Sequence, residues 1–149
     1  MFTYLVQSQA FDIADEFAKI MQANSDSGAI ASFIGIVRDF SSHPDQQLEL
    51  EHYPGMTEKS IQDIGERARK QWALHALTII HRFGILHCQE PIVLVVASSS
   101  HRHEALEAVN FVMDLLKTEA IFWKKEISNG QVEWIEPSHI DHQKAKSWT

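Results

Sequence analysis

The stretch IFWKKEISNGQVEWI, residues 121–135, sets Asn129-Gly130 between two runs rich in β-branched and aromatic residues. Asn-Gly accepts the positive φ angles of a two-residue turn, so Ile121–Ile127 and Val132–Ile135 are expected to pair as an antiparallel hairpin. Upstream of it, Leu106, Val109, Met113 and Leu116 recur at helical spacing and predict a long helix from about Arg102 to Thr118. Leu77–Phe83 and Ile92–Ser98 read as strands, joined through a turn-containing connection over Gly84–Pro91. Thr57 is positioned to cap a helix after Pro54-Gly55, with Ile61, Ile64, Ala68 and Trp72 as its apolar stripe. Leu48–Tyr53 alternates as a half-buried strand, and Ala29–Arg38 is a strand in which Gly35 suggests a bulge. Asp12–Gln22 reads as a helix, Phe2–Gln7 as a strand, and Pro137 onward as a polar tail. Hairpins dominate this order of strands and helices, so the expected class is α+β, with a mixed, mostly antiparallel sheet and a C-terminal β-hairpin.

The 149 residues contain no internal repeat and no Pro/Gly/Ser linker, and read as one domain spanning 1–149. Apolar residues make up 44% and charged residues 22%, which excludes global disorder. The net charge of −7 leaves no global basic field for nucleic acid, so an anionic ligand needs a few locally placed cations. A single cysteine, Cys88, excludes an internal disulfide framework and a Cys-rich zinc module. The start of the chain lacks the basic-then-apolar pattern of a signal peptide, and Ile92–Ala97 is too short to span a membrane. These features point to the cytoplasm. Neither GxGxxG nor GxxxxGK occurs, which argues against nucleotide-cradling loops.

Cations gather at three places: Arg38 at a strand end, His101-Arg102 at a helix start, and Lys117, Lys124 and Lys125 around the following connection. A helix N-terminus with an arginine can bind an anion, and it can equally be an ordinary solvated start. Lys117 in a last helical turn reads first as a complement to the helix dipole. Nine histidines include no HxxxH with a neighbouring Glu, so no metal site is expected. Cys88 beside His87 lacks any further sign of a nucleophile.

Several separated stretches agree with one family: SFIGIVR (32–38), LELEHYPGMTEKSIQDIGERARKQW (48–72), IIHRFGIL (79–86), SSSHRHEALEAVNFVMDLLKTEAIFWKKE (98–126) and VEWIE (132–136). In these the chain resembles the catalytic (large) subunit of molybdopterin synthase. The resemblance implies an α/β-hammerhead fold and a homodimer of large subunits, with a small ubiquitin-like subunit at each end of a heterotetramer. It implies that the small subunit's C-terminal Gly-Gly thiocarboxylate delivers two sulfurs to cyclic pyranopterin monophosphate, making molybdopterin, without a cofactor. It assigns Lys117 and Lys124 as catalytic. It assigns Phe33, Ile36, Val37, Arg38, Met113, Lys125 and Glu126 to the substrate pocket, and brings His101 and Arg102 into that pocket from across the dimer. The chain departs from the family at Ile121 (usually Pro), at Ile36 (often Lys), and at Ser138, beside His139, where the family has an arginine. Two other classes compete: a non-catalytic module that docks a ubiquitin-like tail, and a histidine-rich metal-binding protein. Retention of both Lys117 and Lys124 opposes the first.

Overall fold

The computed structural model describes residues 1–120, 122–135 and 139–148. Its elements run β1 (Phe2–Gln7), α1 (Ile13–Gln22), β2 (Ala29–Ile36), β3 (Gln47–His52), α2 (Met56–Gln71), β4 (Leu74–Arg82), β5 (Gly84–Leu86), β6 (Pro91–Ser99), α3 (Arg102–Thr118), β7 (Phe122–Ser128), β8 (Gln131–Ile135) and α4 (His139–Lys146). They build two four-stranded sheets, ordered β1-β4-β6-β2 and β5-β3-β7-β8. The β1–β4 pair is parallel and the other pairs are antiparallel, which is the α+β arrangement expected from the hairpin pattern.

The first sheet is covered on both faces. Leu77, Ile79 and Val95 face α2 and α3, where Ile61, Ile64, Phe111 and Leu115 complete a core. Ala76, Ile80, Leu94 and Val96 face Ile20 of α1. Burial on both faces explains why β4 and β6 read as nearly continuous apolar runs. A third cluster, Val37, Leu48, Leu50 and Leu86, lies where the second sheet meets the first.

The C-terminal hairpin forms as its turn chemistry requires, with Asn129 at φ 52° and Gly130 at φ 75°. The structure corrects four other readings. The Gly84–Pro91 connection contains the short strand β5, which pairs with β3. Thr57 does not cap α2. Gly55, at φ +86°, takes that place, the Glu58 carboxylate accepts from its N–H, and Thr57 Oγ1 instead accepts from the Tyr53 N–H at 2.7 Å. Leu106 is exposed, because the buried stripe of α3 runs through Ala105, Ala108, Val112 and Leu115, leaving Leu106 on the outer side. The supposed tail carries α4, and Trp148 docks it: the indole meets Trp72 and Phe111 edge-on and donates Nε1–H to Asp114. The departures at Ile121 and Ser138, and the side chain of His139, lie outside the described residues.

Candidate active site

β2 leads into the site through a bulge. Its register with β6 shifts between Gly35 and Ile36, and a Cβ on Gly35 would lie 2.7 Å from Val93 Cγ1, so only glycine fits without displacement. The bulge ends the strand two residues before Arg38. Val37 turns inward and is clamped by its own N–H to Glu90 O (2.9 Å) and by Gln89 N–H to its carbonyl (2.7 Å). Arg38 is left exposed at the rim. The loop that follows is organised around buried Gln46, whose Oε1 accepts from Phe40 N–H (3.0 Å) and whose Nε2 donates to Asp39 (2.9 Å). That donation, with Ser42 and Ser41 N–H groups, holds the Asp39 carboxyl below the usual range.

β2, the end of α3, β7 and α4 enclose a cleft of about 710 Å³, within the range of small-ligand sites. Its wall contains Arg38, Lys117 and Lys124, the acids Glu126 and Asp141, and the apolar groups Phe33, Ile36, Val37 and Met113. Met113 precedes Lys117 by one helical turn and so shares its side of α3. Lys124 lies opposite Leu50 in the β3–β7 pairing and is half-buried. Burial first, then the neighbouring Lys117 and Arg38 charges, lower the Lys124 ammonium below its ordinary range, while Glu126 and Asp141 oppose the shift.

Three sequence candidates fall outside this cleft. Lys125 points to the other face of β7, where it pairs with Glu49 (2.8 Å) and Glu51 (2.9 Å) and lies over the Trp134 ring. His101 and Arg102 are exposed at the opposite end of α3 from Lys117, about 22 Å away along a straight helix. Two further ionisable wall residues escaped the sequence reading. Asp141 was hidden in the supposed tail. His81 enters the sequence pattern only as one of nine histidines without metal-ligand spacing, although a histidine at the end of the apolar run LTIIH is itself a signal. Among the described residues no three His, Cys, Asp or Glu are grouped to hold a metal, and no helix is long and apolar enough to cross a membrane.

Converging cations over an apolar floor form a cleft that can hold an anion and stabilise charge growing on oxygen. Residues 6–119 match the family model described as MoaE protein. The chain is 48% identical over 148 residues to a molybdopterin synthase catalytic subunit of Mesorhizobium japonicum, covering 98% of this chain and 92% of that one. It superposes on the molybdopterin biosynthesis MoaE protein of Burkholderia ambifaria with a TM-score of 0.84 at 40% identity, covering 100% and 99% of the two chains. A complex of subunits 1 and 2 of molybdopterin-converting factor from Helicobacter pylori shares the fold, with a TM-score of 0.72 at 21% identity over 89% of this chain and 90% of that one. The chain belongs to the MoaE family of molybdopterin synthase catalytic subunits, enzymes of molybdenum cofactor biosynthesis.

Proposed function

We propose that this enzyme converts cyclic pyranopterin monophosphate to molybdopterin by two sulfur transfers from the C-terminal thiocarboxylate of a small ubiquitin-like subunit. The observation that carries this reading is the convergence of Lys117, Lys124 and Arg38 on one cleft in a chain of net charge −7. Arg38 at the rim offers a planar fork to the substrate's phosphate. Phe33, Ile36, Val37 and Met113 supply apolar surface for the pterin and the incoming tail, and Glu126 offers an acceptor beside Lys124. The acyl–sulfur bond must break for sulfur to leave the carrier: water adds to that carbonyl, its oxygen carries the negative charge in the adduct, and collapse breaks the acyl–sulfur bond, leaving sulfur on the precursor and a carboxylate on the carrier. The Lys117 and Lys124 ammonium groups are the stabilisers of that charge.

A relative named as a catalytic subunit supports a second, sulfur-carrying subunit. The assembly is a homodimer of this chain with one small subunit per cleft, in which Arg102 and His101 of each chain serve the other's cleft. The single unpaired thiol, Cys88, accords with a cytoplasmic enzyme that imports its sulfur on a partner. The test is reconstitution with thiocarboxylated small subunit and the cyclic precursor, reading molybdopterin. Wild-type enzyme should form product, and Lys117→Ala should lose about 100-fold or more in rate. Lys117 is exposed at a helix end, so its truncation should cost no more than about 1 kcal/mol of stability. Near wild-type turnover in that variant would sink the assignment.

A further inference from the structure

His81 stands at the lysine end of the cleft with its chemistry already fixed. Its Nδ1 lies 2.9 Å from the Arg82 carbonyl oxygen. A carbonyl only accepts, so Nδ1 carries the hydrogen and the neutral ring's Nε2 carries a lone pair. The ring is stacked on Phe122, centroid to centroid 3.9 Å with 22° between planes, so it cannot turn without breaking both contacts. Nε2 has no hydrogen-bond partner among the described residues, and it is not a sealed, unsatisfied atom. Burial, with the Lys117 charge adding to it, pushes the imidazole down to about 4, so the ring stays neutral at physiological pH.

We propose that His81 is a positioning residue for Lys117: in the substrate-loaded cleft its Nε2 accepts a hydrogen bond from the Lys117 ammonium and aims the remaining N–H groups at the oxygen that becomes negative. This rests on the sulfur-transfer reading above. The other ionisable acceptors on the wall, Glu126 and Asp141, are carboxylates. A carboxylate partner would neutralise the ammonium and weaken its hold on an oxyanion. A neutral imidazole orients the ammonium and leaves its charge available to the transition state. Lysine needs such help, because its flexible stem does not preorganise the head group. The ring can do this because β4 presents it where α3 ends and β7 begins, with Phe122 as its backing.

The experiment compares His81→Phe, His81→Asn and His81→Gln in the reconstituted synthase, with Lys117→Ala alongside. Phenylalanine keeps the stack and removes the acceptor. Asparagine can keep the donor to the Arg82 carbonyl without an acceptor at the Nε2 position, and serves if the phenylalanine variant does not fold. Glutamine can put an amide oxygen where Nε2 stood. The expected result is a kcat about tenfold lower or worse in the Phe or Asn variant, with KM for the cyclic precursor within about twofold, and recovery in the Gln variant to within about threefold of wild type. Wild-type kcat in the acceptor-less variants overturns the proposal. So does a loss carried mainly by KM, which would put Nε2 on the substrate, and so does a Gln variant as slow as the Phe variant. Absence of product from wild type, or a fully active Lys117→Ala, is instead the failure of the sulfur-transfer reading itself.

Discussion

Lys117 and Lys124 face one cleft from the end of α3 and the middle of β7, and after burial the Lys117 charge is the largest influence holding the Lys124 ammonium below its ordinary range. Two ammonium groups and the Arg38 guanidinium are thus held together without a full complement of carboxylates. Such an arrangement destabilises the empty site and favours an anion that enters it.

Lys124→Met should therefore abolish turnover while raising stability. The sign follows from the depressed lysine. At neutral pH the residue is charged in both states, and its charge costs the native state. That cost fades as pH rises through the depressed value toward the ordinary 10.5. Thermal unfolding at pH 7 should show the variant's Tm higher by about 1–3 °C, with the difference shrinking toward pH 10.5. A Tm below wild type at pH 7 would contradict the electrostatic account of the site.

The acid side of the stability curve should carry the mark of His81. Its native value of about 4 lies below the ordinary 6.5, so the unfolded chain binds the extra proton first. Stability contributed by the neutral ring is complete above pH 6.5 and is lost as pH falls toward 4. Between pH 7 and pH 5, urea denaturation of wild type should lose about 1–2 kcal/mol more than that of His81→Gln. Equal losses would mean that the ring titrates normally.

Cys88→Ser should leave sulfur transfer intact to within about twofold. The thiol sits in the turn between β5 and β6, outside the cleft wall, and in the proposed reaction the transferred sulfur arrives on the partner. A folded variant that binds the small subunit yet forms no product would point to an internal persulfide route.

Arg102 and Lys117 lie at opposite ends of α3, too far apart to touch one small substrate within a chain. Arg102→Ala and Lys117→Ala homodimers should each be weak or inactive. After subunit exchange half the dimers are mixed, and one cleft of each mixed dimer receives both wild-type residues, so activity should return to about a quarter of wild type. Proven exchange with no recovery would exclude a shared site.

Much of this was legible in the chain itself. Asn129-Gly130 specified its hairpin because few dipeptides accept two successive positive φ angles. Gly35 announced the bulge that aims Arg38, and the period-3.6 stripe placed α3 at Arg102–Thr118. Those are local signals, set by backbone sterics and by which residues can share a face. Lys117, Lys124 and Arg38 stood out as local cation clusters, but their roles followed from family resemblance, since on local grounds Lys117 was only a helix-end lysine.

Tertiary structure alone decided the rest. Trp148 turned a polar tail into a docked helix by packing against Trp72 and Phe111, residues distant in sequence. That docking brought Asp141 to the cleft. β5 became a strand because β3 offered it an edge, which a three-residue segment cannot signal by its own periodicity. The opposite facing of Lys124 and Lys125 was fixed by the β3–β7 register, where Glu49 and Glu51 capture one while the cleft receives the other. The state of His81 depends on a carbonyl, a stacked ring and a lysine charge contributed by three different elements. Burial and charge proximity are sums over the folded chain, and no window of sequence contains them.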